Sequence, residues 1–288
     1  MFRYIFICLI AFQLHADDAE ERSVLKIVKL KETAADVSDP ADHVEKYLQF
    51  LNTHVLGPNG CYKQGEIEIV IDPAKIRTIE GMAKSRLMRA GYTEEAANDC
   101  SRVGIIAEDQ YWIWIRDAVI FPSGFEGTYN RVLWRNHLTG PASAVAVPIF
   151  ADGRIGVLLN FRHATRSWEM QLPAGLREPN EEPEIAARRE LEEETGCEVG
   201  KLELLGHISP DSGMTPTTIP MYIGQVEKMK KNKPDLTEAI HRLFLVTQKE
   251  LGQAIVDGEI TVSIHGKPTQ VKCSDPSLAY LLQHLSNN

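Results

Sequence analysis

The chain has 288 residues, of which 43% are hydrophobic and 25% charged, values that suit one or two folded domains with a sizeable core. Its formal net charge of −9 argues against a protein whose main work is gripping nucleic-acid backbones. A small phosphate-bearing ligand stays compatible with that charge, because a bound metal ion inverts the local field.

Taken in chain order, Arg3 and the apolar run 4–12, followed by Ala16 before Asp17-Asp18, read as a signal peptide over residues 1–16. The run is too short for a stable membrane anchor, and Leu14 departs from the small residue preferred before the cut. The expectation is a secreted or periplasmic protein if this signal operates. The other reading is a buried first element of a cytoplasmic protein. No other segment is long and apolar enough to cross a membrane.

Residues 17–43 are polar and poor in aromatics, and read as a flexible leader. Residues 44–125 read as an N-terminal α+β extension. Within it the alternation at 66–71 predicts a strand, and Ile76, Ile79, Ala83 and Leu87 predict a helix over 73–90. Thr93 caps a further helix, although Ala96 stands where a capping box wants an acid. The run 111–115 is strand-like and suits buried core better than a base-stacking platform.

From residue 126 the pattern changes to closely spaced strands, predicted at 128–134, 142–150 and 154–161, with Asp152-Gly153 turning the last two into a hairpin. Later strands are predicted at 201–208, 219–225 and 241–246, and helices at 248–256 and 276–285. Cys61, Cys100, Cys197 and Cys273 allow three disulfide pairings in an oxidising compartment. The absence of a C-x-x-C pair speaks against zinc, and Cys197 reads as a packed apolar residue.

The strongest signal is residues 175–197, GLREPNEEPEIAARRELEEETGC, where eight glutamates crowd one stretch. Pro183 suits a first helical turn, Ile185 to Glu194 are mostly good helix formers, and Gly196 reads as the C-terminal cap. Glu190, Glu193 and Glu194 then share one face by i, i+3 and i+4 spacing. Hard divalent cations that take oxygen ligands are the natural partners of such a face. Arg189, four before Glu193, is placed to hold that carboxylate.

This pattern resembles the Nudix box: Gly175, Glu181, Arg189, Glu190, Leu191, Glu193, Glu194 and Gly196 all match, and only Cys197 departs, from an aliphatic position. The resemblance covers about residues 128–288, within a Nudix hydrolase domain expected over 126–288. It implies an α/β fold, a Nudix-type α/β/α sandwich with a mixed sheet, carrying the N-terminal α+β extension in front. It also implies Mg²⁺ or Mn²⁺ as cofactor, with Glu190 and Glu194 as principal metal ligands, Glu193 assisting and the Ala174 carbonyl joining them. Gly175 allows close backbone approach, and Glu181 braces the loop and Arg189.

Within the superfamily the chain looks most like the ADP-ribose pyrophosphatases. Glu238 matches a metal-binding or catalytic glutamate on a later loop of that branch, while Leu236 stands where some relatives carry a second acid. Arg162 sits where those enzymes place a substrate-contacting arginine, a residue suited to bidentate phosphate contact. Gln171 fills the substrate-binding position where relatives often have Glu in the approach Trp-x-x-Glu-Leu-Pro-Ala-Gly. Residues 207–217 resemble a loop that closes over substrate, often across a homodimer interface. The expected substrate is a small nucleotide, with ADP-ribose leading. Nucleotide sugars, dinucleoside polyphosphates and nucleoside triphosphates follow, and a non-catalytic nucleotide-binding module is the reading from another class.

Overall fold

Two β-sheets faced by helices follow one another along the chain. The computed structural model describes residues 42–54, 56–233 and 239–287. The signal peptide and most of the leader expected from the sequence lie outside the described residues. Among those described, no helix is long and apolar enough to cross a membrane.

The first sheet takes up the N-terminal portion. Its elements are α1 (Asp42–Thr53), β1 (Glu68–Ile69), α2 (Pro73–Arg89), α3 (Glu94–Ser101), β2 (Gly104–Glu108), β3 (Trp112–Ile120) and β4 (Glu126–Trp134). Strand β3 pairs antiparallel with β1, β2 and β4. Helix α2 starts where Asp72 accepts a hydrogen bond from Lys75 N at 2.7 Å and Pro73 occupies the first turn. It buries Ile76, Ile79 and Ala83 of the stripe its spacing predicts, while Leu87 is half-buried. Thr93 caps α3 through Ala96 N at 3.3 Å without the acid of a capping box.

Three findings differ from the sequence reading here. Helix α1 begins at Asp42, inside the stretch assigned to the leader, because Val44 and Tyr47 are fully buried in the first core. The strand expected over 66–71 shrinks to β1, since Ile67 and Ile71 stay exposed. The strand at 128–134, grouped by sequence with the later strands, belongs to this first sheet as β4, in full register with β3. Strand pairing is a tertiary choice that alternation alone does not reveal.

Among the described residues the second sheet has ten strands. They are β5 (Ser143–Ile149), β6 (Ile155–Arg162), β7 (Ser167–Gln171), β8 (Ala174–Leu176), β9 (Cys197–Val199), β10 (Glu203–Ile208), β11 (Ile219–Met229), β12 (Ile240–Val246), β13 (Glu259–Ile264) and β14 (Lys267–Lys272). Its helices are α4 (Pro183–Thr195), α5 (Gln248–Asp257) and α6 (Pro276–Ser286). The sheet is mixed: β11 runs parallel to β5 and β14 parallel to β7, while the other pairs are antiparallel.

Strand alternation sorts the two faces. Val145, Val147, Val157, Leu159, Met170 and Leu172 point to one side and pack with Leu251 and Ala254 of α5 and Leu278 and Leu281 of α6. Ala144 and Ala146 point to the other side and pack with Ala186, Ala187 and Leu191 of α4. Helices on both faces make this an α/β/α sandwich, as expected. Small residues on β5 and α4 bring helix and sheet close together. Cys61, Cys100, Cys197 and Cys273 are all free thiols, and burial raises the pKa of Cys197 and pushes Cys273 up to about 11.

Candidate active site

Helix α4 begins after Glu182 and ends at Gly196, which adopts the left-handed conformation at φ 75° and donates its N–H to Glu192 O. A side chain on Gly196 would also strike the Lys230 carbonyl, so two constraints ask for glycine. Residues 230–233 close this end of the helix. Lys230 N donates to Gly196 O at 2.7 Å, Lys233 N to Glu193 O at 2.8 Å, and Asn232 Nδ2 to Glu194 O at 3.2 Å.

The predicted carboxylate face is divided by burial. Glu190 and Glu194 are 8% and 3% exposed, whereas the Glu193 side chain is 47% exposed. Glu194 Oε2 accepts from Ala174 N at 2.9 Å. The Glu190 carboxylate lies over Gly175 Cα, where any Cβ would overlap it. Both buried acids are therefore seated against consecutive residues of β8, which hangs on β5 through Ala144↔Gly175 and Val145↔Ala174. The box glycine is needed because the carboxylate occupies the space of its missing side chain.

Arg189 gathers the remaining acids. Its Nε and Nη2 donate to Glu181 Oε1 and Oε2 at 2.9 and 3.0 Å, a bidentate pairing. Nη1 donates to Glu190 Oε1 at 2.8 Å and to Glu193 Oε2 at 3.2 Å, and Nη2 also reaches Leu176 O. Hydrogen bonding from Arg189 holds the Glu181 carboxyl below the usual carboxylate range, and the same bond raises the guanidinium above its ordinary value. Arg189 thus orients Glu190 rather than facing solvent.

Beside the helix, the same sheet face carries a polar strip. Because Leu159 and Met170 face α5 and α6, alternation turns Asn160, Arg162, Glu169 and Gln171 toward the α4 side. Asn160 and Gln171 are each 7% exposed, and Arg162 ends β6 at the exposed rim. Gln171 Oε1 is buried with no hydrogen-bond partner, an acceptor facing no donor. The aromatic residue Trp168 lies on the opposite face, packed edge-on against Phe161 and His241. Glu238 lies outside the described residues. Its flanks are anchored at Lys233, bonded to α4, and at Ala239, whose carbonyl accepts from Phe161 N at 3.1 Å.

Two participants escaped the sequence reading. Asn160 had a visible signal, a lone amide in the apolar strand 155–161. Arg177 had none: it stands two residues past Gly175 at a free position of the box, yet it is 6% exposed and makes three hydrogen bonds through its guanidinium. The 207–217 loop is held by the first sheet of its own chain, with Tyr129 Oη donating to Gly213 O at 2.9 Å and Val132 N to Met214 O at 3.0 Å.

The chain is 30% identical over 122 residues to a methanol dehydrogenase activator of Bacillus methanolicus, covering 42% of this chain and 63% of that protein. It is 29% identical over 98 residues to an ADP-ribose pyrophosphatase of Bacillus subtilis, covering 34% and 53%. The chain thus spans less than two thirds of the length of either relative. A solved ADP compounds hydrolase aligns with 65% of this chain and 92% of its own at 17% identity and a TM-score of 0.48. Residues 140–261, which hold β5, β6, β7, β8 and the carboxylate helix, match the NUDIX domain family model, and that part of the chain is a Nudix domain.

Proposed function

We propose that the chain is a divalent-metal-dependent pyrophosphohydrolase of a nucleoside diphosphate derivative, with ADP-ribose, cleaved to AMP and ribose 5-phosphate, as its substrate. The observation that carries this reading is the seating of two buried glutamates, Glu190 and Glu194, against the backbone of Ala174 and Gly175. The ADP-ribose pyrophosphatase among the relatives and the Arg162 and Gln171 positions support the choice of substrate.

The donor set fits Mg²⁺ or Mn²⁺. Glu190, Glu194 and the Ala174 carbonyl are all hard oxygen donors, and no thiol or imidazole competes among these residues. Among the described residues no group of three or more His, Cys, Asp or Glu side chains is placed to hold a metal ion by itself. Mg²⁺ takes one or two carboxylates and leaves room for water and substrate phosphates, which suits the buried pair Glu190 and Glu194. Bound there, the metal would neutralise phosphate charge and acidify water. The chain's own part is to hold the donors. Arg189 fixes the Glu190 carboxylate, the Ala174 N–H fixes Glu194, and Arg162 at the rim offers a guanidinium to phosphate or base.

A substrate panel with Mg²⁺ or Mn²⁺ tests the reading. ADP-ribose is expected to show the highest kcat/KM among ADP-ribose, nucleotide sugars, dinucleoside polyphosphates and nucleoside triphosphates. A better substrate elsewhere in the panel would replace ADP-ribose, and hydrolysis of none would favour a nucleotide-binding module. Arg162→Ala is expected to raise KM for ADP-ribose by about tenfold or more, the worth of one hydrogen bond to a charged group. Because Arg162 is exposed, its loss should leave the melting temperature nearly unchanged. Unaltered kinetics would remove it from the binding site.

A further inference from the structure

Resting on the hydrolase reading, we propose that residues 135–141, which join the two sheets, brace the carboxylate helix, and that Arg177 is the positioning residue through which they act. The junction is anchored first to the N-terminal sheet. Arg135 N donates to Tyr111 O at 2.7 Å, its Nε to Asp109 O at 2.9 Å, and its Nη2 to Glu108 Oε2 at 2.6 Å. The 3₁₀ turn Arg135–Thr139 leads directly from β4 into the segment that Arg177 grips.

Arg177 then links that junction to the box loop. Its Nε donates to Pro141 O at 2.8 Å and its Nη2 to Thr139 Oγ1 at 3.1 Å, both on the junction. Its Nη1 donates to Glu181 O at 2.6 Å, on the box loop. Asn136 Nδ2 returns a bond to Arg177 O at 2.5 Å, and Arg177 N donates to Ala142 O at 3.0 Å. Gly140 leaves room for the guanidinium, since a Cβ there would stand 3.1 Å from Nη2, and its φ of 134° suits only glycine. Three acceptors in three directions demand a planar fork of donors, which lysine lacks.

The grip reaches the metal-binding acids in two further steps. Arg177 fixes the backbone of Glu181, Glu181 clamps Arg189 bidentately, and Arg189 Nη1 holds Glu190 Oε1. Each step from Arg177 to Glu190 is a hydrogen bond between part-buried groups, so a shift of the box loop is passed on rather than absorbed by solvent. The N-terminal sheet thereby gains a role at the site without contributing a group to it.

The test compares Arg177→Lys, Arg177→Ala and Asn136→Ala with the native chain, all full length. Readouts are thermal unfolding, Mn²⁺ affinity by electron paramagnetic resonance, and kcat and KM with ADP-ribose. Arg177→Lys and Arg177→Ala are expected to weaken Mn²⁺ binding and lower kcat by roughly tenfold, the lower end of the effect of outer-shell partners on a metal site, with KM little changed. Asn136→Ala keeps the guanidinium and is expected to show about a third of that effect on a logarithmic scale, roughly twofold. Added guanidinium is expected to restore kcat in Arg177→Ala. Folded Arg177 variants with Mn²⁺ affinity and kcat within twofold of native would overturn the brace, even if their melting temperature falls. Inactivity of the native chain would overturn the hydrolase reading instead, while the Mn²⁺ affinities still decide the brace.

Discussion

Glu190→Gln is expected to lower Mg²⁺-dependent turnover by roughly a thousandfold, since a metal's charge stabilisation is worth several kcal/mol and each tenfold costs about 1.4 kcal/mol. The substitution keeps the side chain's shape, so it still fits over Gly175, and its amide oxygen can still accept from Arg189 Nη1. What it removes is the anionic donor. The melting temperature should therefore move by only about 2–4 °C, the equivalent of about 1 kcal/mol in a chain of this size. Glu194→Gln should behave similarly, provided its amide oxygen rather than its nitrogen turns to Ala174 N. Measured kcat in the two variants beside calorimetric melting curves separates chemistry from folding. Near-native turnover in both would remove the buried pair from the reaction.

Asp117→Ala is expected to destabilise the chain by about 3–5 kcal/mol, the cost of breaking a buried ion pair by deleting one partner. Asp117 is 1% exposed on β3 and accepts from Arg131 Nε and Nη2 at 2.6 and 3.0 Å and from Tyr47 Oη at 2.6 Å. Its loss strands a guanidinium and a phenol inside the first core. Burial, and then the Asp117 charge, raise the Tyr47 pKa, so that group remains the neutral donor of the trio. The three residues come from α1, β3 and β4, so the damage should spread across the N-terminal sheet. Denaturant unfolding gives the energy directly. Asp117→Asn, which preserves an acceptor, should lose less than Asp117→Ala, and a loss below about 1 kcal/mol in Asp117→Ala would mean the trio is dispensable.

The carboxylate helix was legible because its signals are local. Pro183 at the start, Gly196 at the end and the i, i+4 acids each depend on a single turn of chain, and the helix forms over Pro183–Thr195. The reason for Gly175 was not legible. It comes from Glu190, fifteen residues away, whose carboxylate fills the space of a side chain. Burial also divided a face that spacing alone treated as uniform, leaving Glu193 at the surface beside Arg189.

Other misses have different causes. Helix α1 carries Val44, Tyr47, Leu48 and Leu51 at helical spacing, a stripe that was readable but hidden by polar neighbours. The β13–β14 hairpin was likewise readable from Ile260, Val262 and Ile264 before His265-Gly266. The membership of β4 and the buried trio around Asp117 were not, because both depend on which strand lies alongside. Arg177 is the extreme case: an arginine between Leu176 and Glu178 looks like a solvated charge until the junction folds over it.

The proposed chemistry is metal-dependent cleavage of a pyrophosphate bond at the face formed by Glu190 and Glu194. Phosphorus NMR of ADP-ribose incubated with the purified chain addresses it most directly. With Mg²⁺ the spectrum should lose its pyrophosphate resonances and gain AMP and ribose 5-phosphate in equal amounts, and with excess chelator it should stay unchanged. Intact ADP-ribose with Mg²⁺ and with Mn²⁺, or cleavage that persists in chelator, would rule out that chemistry.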